Sequence, residues 1–349
     1  MIFYAEDKST IRKNPEQARQ TTAKYVIILA FSIISYNSSN PPNKNNMPPK
    51  RQNKKDVTST KAALSDPFAR LIKETGDNVT MDDLLREIEA NLTDEERADE
   101  LFYDAMGAET LKQKSAMIKK VLALDPEHTD ANLWMLRNSG AGKNPLDELR
   151  RIVDAAARKL GAKVFKKGKG IFWGISETRP YMRAREQLAS HLIDAGQMDE
   201  GIKECEEMLA LNRGDNQGIR HTLLKCYLCT NRQEEARQLI KRFASEIKYN
   251  AVFAWGDVLL RRLSPNQDGL EKALKAARKQ NTHIEAYITG KKKIPKILPP
   301  LYSIGSEEEA ACFAKDLHAA WTANPEALEW LRAQSANTES NEKSKGKSE

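Results

Sequence analysis

With 349 residues, 40% apolar and 30% charged, the chain has room for one large or two ordinary soluble domains. Only 7% of residues are aromatic, which argues against a β-sandwich, and four Cys with five His leave little for a metal centre or a disulfide framework. The net charge of +7 is uneven: residues 1–60 hold ten Lys or Arg against four Asp or Glu, and the rest hold 46 against 45, so the basicity belongs to the N-terminal stretch.

In chain order, residues 1–60 read as a disordered basic tail. They end in SSNPPNKNNMPPKRQNKKD, which is polar and Pro-containing. The apolar run YVIILAFSIISY at 25–36 is shorter than the roughly 18–20 residues a bilayer needs, and no A-x-A cleavage site follows it. Met47 is an alternative start, in which case residues 1–46 are a mis-called extension. No other span is a candidate, so the expectation is a cytoplasmic protein without membrane association. Such a tail offers non-specific phosphate binding; a solvated arm is the plainer reading.

Residues 61–160 read as an N-terminal helical region with a degenerate repeat. Thr80 suits the N-cap of TMDDLLREIEANL. Thr93 and Glu96 have capping-box spacing. The next helix should end near Leu124, turn at Asp125-Pro126 and give way to another near Thr129. Residues 161–179 begin GAKVFKKGKG and read as a basic, Gly-containing entry loop. The loop lacks the G-x-x-x-x-G-K-[ST] order of a phosphate-binding turn.

From 180 to 334 the chain repeats. At an offset of 35, Arg185 meets Arg220, Leu188 meets Leu223, Ile193 meets Leu228 and Gly196 meets Asn231. The same offset takes Arg220 to Trp255, Leu224 to Leu259 and Asn231 to Asn266; Leu239 then maps to Ala273. Gly196 and Asn231 fall where a left-handed residue is wanted between helices. Gly201 and Ala236 fall where two helices cross and only a small side chain fits. A helix–turn–helix period near 34 is the tetratricopeptide pattern. The fold class is therefore all-α, built of stacked antiparallel helical hairpins in a tetratricopeptide-like α-solenoid. Residues 335–349 read as a disordered tail.

Chemical motifs are few. Cys226 and Cys229 form a C-x-x-C, but both lie mid-helix beside Leu223, Leu224 and Leu228, with no second ligand pair, so core packing is the reading. His191, His221, His283 and His318 are scattered. No nucleophile, metal set or cofactor loop emerges, and the expectation is a non-enzymatic protein without a cofactor. In ETRPYMRAR, Pro180 suits the first helical turn, with Thr178 or Arg179 at the cap. Asp215 or Asn216 should cap the following repeat. Arg185, Arg220 and Trp255 hold equivalent places on three successive first helices, and Arg179 and Arg183 are four apart on one of them. These five residues are the candidate lining of a concave groove for an extended or acidic protein partner. The alternative for the arginines is intramolecular pairing with Glu177, Glu186 or Asp215. TGKKKIPKILPPLYSIG at 289–305 reads as an exposed connector, and Ser306 with Glu309 has capping-box spacing at the start of a terminal helical cap.

FWGISETRPYMRAR, LNRGDNQGIRHTLL and NTHIEAYITGKKKIPKILPPLYSIGSEEEA resemble a group of tetratricopeptide-repeat proteins of unassigned function. More distantly, and chiefly in the last segment, they are similar to the suppressor of tumorigenicity 7 protein family. The resemblance covers roughly residues 171–331 and implies a helical repeat fold with a scaffold or interaction role. It supplies no catalytic residues. Arg213 and Gly214 stand where related proteins tend to carry Pro and Asn. A different role would be nucleic-acid association through the segment Lys50 to Lys55 with Lys291, Lys292 and Lys293.

Overall fold

The computed structural model describes Arg86, residues 90–138 and residues 144–345, with side chains to residue 336. The expected tail 1–60, Met47, the segment Lys50 to Lys55 and the Thr80 cap lie outside the described residues. The chain divides into two compact units, residues 1–97 and 98–349. The described end of the first holds the Thr93 capping box. There Thr93 N–H donates to Glu96 Oε2 at 2.9 Å, and Glu96 N–H donates to Thr93 Oγ1 at 3.2 Å.

Among the described residues the structure is all-α, with thirteen α-helices and no β-strand. They are α1 (Asp94–Gly107), α2 (Leu111–Leu124), α3 (Thr129–Asn138), α4 (Pro145–Gly168), α5 (Arg179–Asp194), α6 (Met198–Leu211) and α7 (Ile219–Cys229). Then come α8 (Gln233–Arg242), α9 (Ala251–Leu263), α10 (Leu270–Gln280), α11 (Ile284–Ile288), α12 (Glu307–Thr322) and α13 (Pro325–Lys345). Consecutive helices pack on each other: α3 on α4, α5 on α6, α7 on α8 and α9 on α10. Neighbouring pairs are joined by contacts of α4 with α5, α6 with α7 and α7 with α9.

Local sequence explains the turns. Gly196, Asn231 and Gln267 have φ of 77°, 57° and 50°, so the turn inside each of the helix pairs α5–α6, α7–α8 and α9–α10 contains a left-handed residue. Polar side chains start several of the helices. Thr110 and Gln113 form a capping box at α2, and Asn250 Oδ1 accepts from Val252 N–H at 2.9 Å at α9. A Cβ added to Gly201 would stand 2.6 Å from Ile193 Cγ1, so a side chain at the α5–α6 crossing forces Ile193 to shift; Ala236, at the equivalent place on α8, is fully buried.

The main core runs from α4 to α13 and centres on α9, where Ala251, Val252, Phe253, Ala254, Trp255, Val258, Leu259 and Leu260 are all buried. A helix apolar on every side must be enclosed, and α12 completes the enclosure. It packs on α7 and on α9, while α13 packs on α9 and α12. The α12 side chains Ala310, Ala311, Ala314, Leu317, Ala320 and Trp321 are buried there.

Two segments differ from expectation. The entry loop does not begin at 161: α4 continues to Gly168, with its helical dihedrals interrupted at Gly161 (φ 70°). The reason is an apolar stripe, since Leu160, Val164 and Phe165 pack against the core and the lysines between them face solvent. The tail expected to be disordered from 335 is helical to Lys345. Its residues are polar, but no Gly or Pro interrupts them before Gly346.

Candidate functional site

The entry segment and the first turn of α5 are built around three aromatic rings. Phe172 is fully buried, with its centroid 5.1 Å from Phe165, and Phe165 meets Tyr181 edge-on at 5.3 Å. Thr178 sits at the N-cap position of α5 but faces backwards, its hydroxyl donating to the carbonyls of Phe172 and Ile175. Gly170 ties the segment to the α6–α7 turn: its N–H donates to Leu211 O at 2.8 Å and its carbonyl accepts from Arg213 N–H at 2.9 Å.

The five residues expected to line a groove are placed very differently. Arg179 Nε donates to Trp173 O at 3.0 Å, and its guanidinium lies 5.8 Å from the Trp173 ring centroid. It has no carboxylate partner among the described residues. Arg183 forks onto Asp130 of α3, with Nε 2.8 Å from Oδ1. Arg185 is 5% exposed; its Nε donates to Glu204 at 2.7 Å, another nitrogen donates to Glu207 at 2.5 Å, and a third donates to Tyr181 Oη at 3.2 Å. Arg220 donates to Asp215 Oδ2 at 2.9 Å and pairs with Glu246 at 3.3 Å. Trp255 is 0% exposed, its ring centroid 6.3 Å from that of Trp321 on α12.

The stripe of Arg185, Arg220 and Trp255 is therefore not a free surface. Arg185 fastens α5 to α6, and Arg220 ties α7 to its own cap Asp215 and to Glu246 in the segment between α8 and α9, because a guanidinium entering the interior must carry its carboxylates with it. Trp255 lies beneath α12. Asp215 is the one partner named from the sequence that is found: it caps α7, accepting from Ile219 N–H at 2.8 Å and Arg220 N–H at 2.9 Å, and pairs with Arg220. Sequence reasoning missed Asp130, Glu204, Glu207 and Glu246. The one available signal was at α6, where Glu204 and Glu207 flank the buried Cys205 and Met208 as charges bordering an apolar seam.

The face of α7 opposite α8 is also taken. His221 meets Phe313 edge-on at 6.5 Å, Lys225 Nζ pairs with Asp316 at 3.0 Å, and Leu228 O accepts from Asn324 Nδ2 at 3.1 Å. At spacings of four and three, these α7 positions form one stripe facing the C-terminal helices.

Burial pushes the Cys205 thiol up to about 12 and the Cys226 thiol to about 11, which suppresses the reactive thiolate. Among the described residues no three His, Cys, Asp or Glu side chains are arranged to hold a metal. A cleft of about 380 Å³ between α8 and α9 has a mixed lining, with Ile240, Ile247 and Leu260 beside Arg237, Asp257 and Arg261. Arg261 pairs with Asp257 at 2.8 Å, and Arg237 donates to Ser264 at 3.0 Å. Of the connector lysines, Lys292 pairs with Glu307 at 2.5 Å. Among the described residues no helix is long and apolar enough to cross a membrane.

No protein-family model, no curated protein and no solved structure matches the chain. The tetratricopeptide resemblance thus stands on the repeats in the sequence.

Proposed function

We propose that the protein is a protein–protein interaction scaffold of tetratricopeptide-like hairpins, acting without chemistry of its own. The observation that carries this reading is the recurrence of one hairpin design. The three helix pairs from α5 to α10 repeat a left-handed turn residue at 196, 231 and 267. Repeated hairpins that share a continuous core are a solution for displaying surface rather than for assembling a reactive centre.

The acidic-partner reading narrows to the entrance of α5. Arg185 and Arg220 already hold carboxylates of this chain, and Arg183 holds Asp130. Arg179, without a carboxylate partner among the described residues, lies beside the half-buried Trp173 and the exposed Ile171. Arg with an aromatic ring is a combination favoured at interface centres.

The test is affinity capture with the full chain and with Arg179→Glu, each confirmed as folded by circular dichroism. The reading expects a partner set retained by the wild type and lost with Arg179→Glu. Identical partners for both variants would exclude this surface.

A further inference from the structure

Between α11 and α12 the chain crosses the surface in a form unlike the helices on either side. Residues 293–303 are neither helix nor strand, and among the described residues their N–H groups make no backbone hydrogen bonds. Pro295, Pro299 and Pro300 have φ locked by their rings. Ile294, Leu298 and Pro299 each precede a proline and are thereby held in extended or polyproline-type backbone. Such a segment loses little conformational freedom when bound in that form.

The same segment carries a concentration of exposed apolar side chains. Ile297 is 88% exposed, Leu301 83%, Ile304 68%, Leu298 43% and Tyr302 38%. Contiguous exposure of this kind marks an interaction site. Its order also selects the partner. Three residues after Pro295 comes Leu298, and three after Pro299 comes Tyr302, so the P-x-x-P spacing is absent. Pro299-Pro300-Leu301-Tyr302 supplies instead a proline pair followed by an aromatic ring one residue on.

We propose that Pro299-Pro300-Leu301-Tyr302 is a docking peptide for a WW-type domain, whose aromatic groove takes the proline pair while an adjoining pocket takes Tyr302. The exposed Lys293 and Lys296 beside it favour a groove with an acidic rim. This docking site does not depend on the arginine surface proposed above.

Docking requires a local rearrangement. The Tyr302 ring rests edge-on against Phe313 of α12 at 5.7 Å, and Cys312 Sγ lies 3.7 Å from Pro299 O. The chain also bends at Pro300. A partner must lift the ring and straighten the bend, so the folded chain binds more weakly than the free peptide.

The experiment titrates the full chain with a recombinant WW domain of Pro-Pro-x-Tyr specificity, and in parallel with an SH3 domain that reads P-x-x-P. The expected result is binding of the WW probe alone, with a peptide of residues 293–306 about 3- to 10-fold tighter than the whole chain. Pro300→Ala, at an exposed position, and Tyr302→Ala should each weaken the interaction at least about tenfold. Phe313→Leu should bring the chain closer to the peptide. Probe binding to the peptide but not to the folded chain would overturn the proposal, as would undiminished binding by Pro300→Ala or a preference for the SH3 probe.

Discussion

Lys225 of α7 and Asp316 of α12, 91 residues apart in sequence, meet in a 3.0 Å ion pair. The pair marks the seam along which the C-terminal helix closes the face of α7 and α9. Burial works against the charge on Lys225, and Asp316 more than offsets it, so that the Lys225 pKa is raised. A double-mutant cycle with Lys225→Ala and Asp316→Ala, followed by urea unfolding, should give a coupling of about 1–2 kcal/mol, above the range of exposed pairs. Additive effects would place the pair among inert surface contacts.

Arg185 should matter to stability far more than Arg179. Its removal leaves Glu204 and Glu207 without their shared cation, and the guanidinium is itself buried. Arg185→Ala should cost about 2–4 kcal/mol. Arg179→Ala, which loses a carbonyl hydrogen bond and a ring contact, should cost about 1 kcal/mol or less. Equal shifts in urea midpoint for the two variants would contradict this assignment.

Gly201 tests the helix crossing. Gly201→Ala gains roughly 1 kcal/mol of helix propensity and loses a similar amount against Ile193 Cγ1, so it should be near neutral. Gly201→Val has no such offset and should lose about 2–3 kcal/mol. Ile193→Ala in the same chain should recover part of the loss caused by valine, and thermal melts of the set decide it.

His221 gives stability a pH dependence. Burial first, and then the neighbouring Arg220, lower its pKa below 6.5, against the support of Glu246 and Asp215. As pH falls below 6.5 the unfolded chain takes up a proton that the folded chain resists, so stability is lost in the acid direction through the folded pKa. Urea midpoints measured from pH 7.5 to 5.5 should fall more steeply for the wild type than for His221→Gln. Parallel slopes would mean that His221 charges freely in the native state.

The buried thiols should be silent. Alkylation of the native protein near pH 8 should spare Cys205 and Cys226, whose pKa values burial raises to about 12 and about 11, and label them only on unfolding. Mass spectrometry of the labelled peptides reads this directly. Rapid native labelling at Cys226 would revive a reactive role for the C-x-x-C.

What the sequence made legible was local. The Thr93 and Asp215 caps follow from residue type and spacing, as do the turn at Gly196 and the small residue at Gly201, because neighbours along the chain determine each of them. At Ser306 only half of the expected box forms. Ser306 Oγ does cap Glu309 N–H at 3.2 Å, but the Glu309 carboxylate turns away to Gly305 N–H at 2.7 Å and Asn281 at 2.9 Å. The helix through 161–168 was hidden because Gly161 and the lysines look like a loop, while only Val164 and Phe165 reveal the buried side. The fate of the arginines was legible only at Arg220, whose pairing with Asp215 was one of the alternatives the sequence offered. Whether Arg185 faces a partner or Glu204 depends on how α5 lies on α6, and whether Trp255 lines a groove depends on α12, which arrives from more than fifty residues away. No local pattern carries that information.

The closure of α7 and α9 by α12 decides which surfaces remain for partners, and hydrogen exchange read by mass spectrometry tests it most directly. The comparison is between the wild type and Asp316→Lys, which sets two lysines against each other at the seam. The expected result is faster exchange in residues 219–229, 251–263 and 307–322 together, with 198–211 unchanged. Faster exchange confined to 307–322 would mean that α12 does not cover α7 and α9, and would return their outer face to the list of free surfaces.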